Sequence, residues 1–237
     1  MNKKNNLLNV FYLLVPGFVL LISFTHIPAV KTLMNSFYST AKGRRASKFV
    51  GLENYETLWL DATFWKVFSN NIIYALGVIP SSILLSLGMA LWVNSKIIGR
   101  PFLRFSYFLP TVLPLIAVGN IWLFFYAPGF GLIDQIVTSL GFPSLNILGS
   151  QESSLFGVMA VGIWKEAGFY MIFYLAGLQA IPPDLKEAAM IEGANKWYIF
   201  WRITFPLLTP TTLFVSVNAV INSFRQIDHI VVMTQGG

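Results

Sequence analysis

Five apolar runs, at about 7–30, 70–93, 102–126, 155–179 and 207–227, set the terms on which this chain can fold. Each is near the roughly 20 residues a helix needs to cross a hydrocarbon core. Lipid offers no hydrogen-bond partner to a peptide group, so segments of this kind must satisfy their own backbone and cross as helices. The expected fold is therefore all-α, a polytopic membrane helical bundle. Composition agrees: 55% of residues are hydrophobic, 11% are charged and the mean hydropathy is +0.65, whereas about a quarter of a soluble domain is charged. The net charge of +6 is carried by short segments between runs and accompanies no nucleic-acid-binding motif, so nucleic acid is not an expected partner. With no cysteine, disulfides and thiolate chemistry are excluded.

The first run follows Lys3 and Lys4, is long for a secretory signal and lacks a small-residue cleavage site. It is expected to be a retained span with a cytoplasmic N-terminus. Segment 31–66 would then lie outside the cell. Pro110 and Pro114 interrupt the third run, which predicts bends whose freed carbonyls need protein donors. Basic residues number eight on the side expected to be cytoplasmic (Lys3, Lys4, Lys96, Arg100, Arg104, Lys186, Lys196, Arg202) and six on the other (Lys31, Lys42, Arg44, Arg45, Lys48, Lys66). That is a weak topological bias.

Segment 182–206, PPDLKEAAMIEGANKWYIFWRITFP, breaks the apolar pattern. Two prolines open it, Asp184 and Glu187 have capping-box spacing, Gly193 suits a left-handed helix end and Asn195 suits a second helix start. A helix at about 184–192, a tight turn and a second helix are expected.

Glu187-Ala188-Ala189, Gly193, Ile203 and Pro206 resemble the EAA motif of ABC importer permease subunits, with Phe205 where that family usually has leucine. Gly51-Leu52-Glu53-Asn54-Tyr55, Phe108-Leu109-Pro110, Leu175-Ala176-Gly177-Leu178-Gln179 with Ile181-Pro182, and Thr234-Gln235-Gly236-Gly237 look like the carbohydrate and glycerol-phosphate branch. The resemblance implies one transmembrane permease domain over 1–237, and five spans of a usual six, as if the final span were not included. It makes 182–206 a cytoplasmic coupling loop between spans four and five, in which Glu187, Ala188, Ala189 and Gly193 engage an ATPase. Implied partners are two ATPase subunits, a second permease subunit, a soluble substrate-binding protein and membrane lipid, in a bacterial or archaeal inner membrane. The implied task is import of a carbohydrate, or alternatively of glycerol-3-phosphate or a glycerophosphodiester. The reading of a different class is a secondary transporter or channel, against which stands the lack of paired interrupted repeats.

The chain has no G-x-x-x-x-G-K loop followed by Ser or Thr, so ATP hydrolysis would fall to a partner. No metal-spaced cluster is visible, and no catalytic residue, metal or cofactor is expected. His26 and His229 are expected as hydrogen-bonded or solvated interfacial histidines, and Trp59, Trp65 and Trp122 as anchors or core. Lys165 and Glu166 lie mid-run, where an uncompensated charge costs about 2.5–3.5 kcal/mol. They either face a solvated translocation path, with Trp164 and Tyr170 stacking on sugars, or bond to another helix. Asn218, Asn222 and Gln226 recur every four residues on one face beside Arg225. That face either binds passing hydroxyl groups or holds helices together.

Overall fold

The computed structural model describes residues 3–40, 47–95 and 98–235. Among these, regular structure is helical apart from one isolated antiparallel bridge between Tyr38 and Phe49. Lys42, Arg44, Arg45, Lys96, Gly236 and Gly237 lie outside the described residues. The chain divides into two compact units, Met1–Phe68 and Ser69–Gly237.

In the first unit, α1 (Lys3–Leu21) passes through a π-helical turn (Ile22–His26) into α2 (Ile27–Asn35). The ladder widens just before Pro28, which has no N–H to give. The helix extends beyond the expected end near residue 30, so Lys31 is helical and not in a loop; nothing breaks the ladder until Ser36, whose N–H closes the last turn on Thr32 O. The side chains of the candidate span Val10–Asn35 are unburied, as a helix surrounded by lipid requires. Beyond it, α3 (Glu53–Leu60) and the start of α4 (Ala62–Asn94) complete the unit. The Gly51-to-Tyr55 motif is the fastener here: Gly51 turns at φ +60°, Asn54 Nδ2 donates to Ser36 O (2.8 Å) and Tyr38 O (2.9 Å), and Tyr55 Oη lies 2.6 Å from Ser36 Oγ.

The second unit contains the rest of α4, α5 (Arg100–Val112), α6 (Leu115–Tyr126), α7 (Leu132–Ser139) and α8 (Gln151–Ala180). After these come α9 (Pro183–Ile191), α10 (Lys196–Ile199), a π-helical turn (Phe200–Thr204), α11 (Phe205–Leu207), α12 (Thr209–Arg225) and α13 (Asp228–Thr234). Among the described residues, three helices are long and apolar enough to cross a membrane, or up to five if each bent pair is one span. The third apolar run is not one rod: α5 and α6 meet at 104°, and the α10-to-α12 stretch bends by 64°.

Helix α8 is the axis of the unit, with 61% of its apolar window buried. Together with α4 it builds two apolar clusters. Tyr170, Met171, Tyr174 and Leu178 pack with Leu87, Ala90 and Val93 of α4 and with Val215 and Ala219 of α12. Val158, Met159 and Val161 pack with Tyr74 and Val78 of α4, Val118 of α6 and Met233 of α13. Lys165 and Glu166 of α8 fall in the sequence gap between these clusters.

The connection from α6 to α8 is tied by a carboxylate. Asp134, 3% exposed, accepts from Ser144 Oγ, Leu145 N and Gly129 N, each at 2.8 Å. These bonds, Ser144 foremost, hold its carboxyl below the usual carboxylate range.

Candidate functional site: buried polar joints and the Glu187 loop

Lys165 meets the bend of the third run. Its Nζ donates to Leu113 O at 2.7 Å, Pro110 O at 3.0 Å and Thr111 O at 3.4 Å. The reason lies in the local sequence. Leu113, preceding a proline, is extended (φ −72°, ψ 136°), and Pro114 follows at φ −57°, ψ 141°. Pro114 has no N–H to return to Pro110 O four residues back, and the turn away of α6 strips the neighbouring carbonyls of their partners. The ammonium replaces those donors and sits at the negative end of α5. A turn further along α8, Gly168 lies against the Tyr107 carbonyl so closely that a Cβ would collide with it.

Glu166, next in sequence, points to α12. Gln226 Nε2 donates to it at 2.6 Å and Asn222 Nδ2 at 3.1 Å, while Asn222 Nδ2 also reaches Tyr170 Oη at 3.3 Å. Four of the candidate residues, Glu166, Tyr170, Asn222 and Gln226, therefore form one cluster, with Glu166 7% and Tyr170 1% exposed. Asn218 is not part of it; its Nδ2 donates to Phe214 O within α12. Arg225 is exposed on the same helix. Trp164 packs edge-on against Trp122, ring centroids 5.5 Å apart.

Sequence reasoning gave no role to His229. It is fully buried, with Nε2 3.2 Å from Tyr74 Oη of α4, so the solvated alternative is excluded. Spacing gave no signal for this pair, which lies 155 positions apart. His26 is exposed and its Nδ1 lies 3.2 Å from Leu21 O.

In the 182–206 segment, α9 opens at Pro183 with Pro182 at the cap position and no side-chain cap. The expected capping box is not formed, because Asp184 already lies inside the first turn, where it still favours the positive helix end. Gly193 takes φ +83°, Ala194 N bonds Ala189 O at 2.9 Å and Gly193 N bonds Met190 O at 3.1 Å. This is a Schellman ending. Asn195 caps α10 as expected, its Oδ1 accepting from Tyr198 N at 2.8 Å. Glu187 and Ala188 are exposed, Ala189 is buried, and Met190 and Ile191 are 56% and 88% exposed. The short helix is thus fixed at its far end and offers a mixed charged and apolar face.

An all-α membrane bundle with broken spans and an exposed, rigidly turned helix between its last long helices has the form of a transport subunit. Comparison with known proteins places it: residues 82–237 match the binding-protein-dependent transport system inner membrane component family, and the chain belongs to that family. It is a permease subunit of the ABC importer class. It is 35% identical over 227 residues to the osmoprotective compounds uptake permease protein of Synechocystis, covering 93% of this chain and 80% of that protein. The trehalose/maltose transport system permease protein of Thermococcus litoralis is 31% identical (96% and 77% covered), and the sn-glycerol-3-phosphate transport system permease protein of Agrobacterium fabrum 33% (95% and 78%). The fold is similar to a chain of a bacterial alginate ABC transporter crystallised with an alginate pentasaccharide-bound periplasmic protein. The TM-score is 0.78 at 22% identity, over 98% of this chain and 77% of that one.

Proposed function

We propose that this permease subunit carries a carbohydrate, delivered by a soluble binding protein, through a path shared with a second permease subunit while two ATPase subunits hydrolyse ATP in the cytoplasm. The N-terminus and the Glu187 loop then face the cytoplasm, and α9 docks on an ATPase through the exposed Glu187 and the small Ala188, while the buried Ala189 seats the helix on its own subunit and Gly193 sets the turn. Sugar-transport relatives support the solute class. So does the chemistry of the Glu166 cluster, which is the observation that carries the choice. Its donors are neutral amides and a phenol, its one charge is a carboxylate, and the nearby ammonium is spent on carbonyls. Such a wall suits hydroxyl groups and repels phosphate. Asn222 and Gln226, half-buried, exchange Glu166 for solute hydroxyls as α12 shifts against α8; Asn218 extends the same face. Glycerol-3-phosphate remains the second reading because one relative carries that name.

The test is uptake by the assembled importer in proteoliposomes, after a thermal-shift screen of its binding protein over sugars, glycerol phosphates and phosphodiesters. A tight ligand raises the binding protein's Tm. A sugar that both binds and is taken up supports the proposal; a phosphate ligand with no sugar hit overturns it.

A further inference from the structure

We infer that Lys165 is a positioning residue of the transport cycle: it sets the 104° elbow between α5 and α6, and through that elbow the placement of α13 beside the Glu166 cluster. The elbow is a place where the chain lacks its own donors. Pro114 cannot serve Pro110 O, and three carbonyls of the break converge on a single ammonium from another helix, at 2.7, 3.0 and 3.4 Å. An ammonium has three protons, so these carbonyls use its donor capacity in full.

The elbow directs α6 onto α13, where Gly119 lies close against Val232 and the backbone of His229. Helix α13 follows α12 directly after Gln226, and Gln226 is held by Glu166. The contacts therefore form a ring. They leave α8 at Lys165, run through the elbow, α6, α13 and the end of α12, and return to α8 at Glu166. Adjacent residues of one helix hold the two broken spans, and movement of α12, passed to α6 through α13, works against the elbow that Lys165 holds. This inference concerns coupling and stands whichever solute is carried.

The experiment uses the complete importer in nanodiscs. Because this chain has no cysteine of its own, Phe105→Cys on α5 and Phe124→Cys on α6, both exposed, take spin labels for pulsed dipolar distance measurement. The native elbow gives one narrow distance distribution. Lys165→Met broadens or shifts it and raises ATP hydrolysed per solute imported at least several-fold, with the solute KM held within twofold; Lys165→Arg keeps the narrow distribution. A Lys165→Met distribution that superposes on the native one, with unchanged ATP per solute, overturns the inference.

If Lys165→Met does not assemble, Pro114→Ala is added to it, restoring an N–H for Pro110 O. The expected double variant assembles with a longer label distance, as a straighter helix, and uptake stays lost. Recovery of uptake together with assembly overturns the inference, because the lysine would then only fill empty hydrogen bonds.

Discussion

Gln226 and Glu166, 60 positions apart in sequence, are joined by a 2.6 Å hydrogen bond that fixes the end of α12 to the middle of α8. Asn222 adds a second amide to the same carboxylate at 3.1 Å. A carboxylate 7% exposed in an apolar bundle is tolerable only with such partners.

Replacing either amide by leucine removes a bond to a charged group, which is worth about 1.5–3 kcal/mol. Asn222→Leu is expected to lower the Tm of the purified complex and to raise the uptake KM severalfold. Normal KM with lowered Tm would assign the amide to helix packing alone. Glu166→Gln, which keeps an acceptor, should be milder on both readouts.

Gly168→Ala should be damaging for a steric reason. The added methyl meets the backbone carbonyl of Tyr107, which has no side-chain freedom to yield. Overpacking of this sort costs about 1–3 kcal/mol. Thermal unfolding of the complex, followed by the fluorescence of the intact-complex peak on sizing, should shift downward, whereas Gly88→Ala, where open space surrounds the new atom, should leave it unchanged.

Glu187→Lys changes an exposed residue on a helix whose end is fixed by backbone bonds. Membrane insertion and the Tm of the isolated subunit should be unaffected, while recovery of ATPase subunits on co-purification and solute uptake both fall at least tenfold. Undiminished uptake with native recovery would remove Glu187 from the ATPase contact.

The Asp134 tie gives a pH dependence with a definite sign. Its folded carboxyl is held below the usual range, so its contribution is fully present above the unfolded value of about 3.9 and is lost as pH falls through the lower, folded value. Amide exchange of Gly129 and Leu145, its two backbone donors, should be slow and unchanged in opening equilibrium from neutral pH down to about that unfolded value. In Asp134→Asn, protection of both amides should drop already at neutral pH.

Much of this architecture was legible in the residues. Apolar run lengths located the helices, since the bilayer leaves the backbone no other solution, and Gly193 and Asn195 marked the turn after α9 because few residues suit those backbone positions. Pro110 and Pro114 announced a bend with hungry carbonyls, but neither its size nor its donor, because a partner 52 to 55 positions away leaves no local pattern. The same limit hid the Tyr74–His229 pair. The four-residue rhythm of Asn218, Asn222 and Gln226 indicated a common face, yet only two of the three reach Glu166; the remaining one is satisfied by its own helix. The capping box failed on a finer point, since Pro183 starts the helix one residue before Asp184.

The π-helical turn at Phe200–Thr204 carries one more implication. A turn of this kind holds an extra residue without breaking the helix, and each α-helical residue accounts for about 100° of rotation. It therefore works as a phase setting for everything that follows, including the direction in which Asn222 and Gln226 face. Removing a single residue from that turn would leave the length and hydrophobicity of the span almost untouched, yet rotate its amides away from the carboxylate.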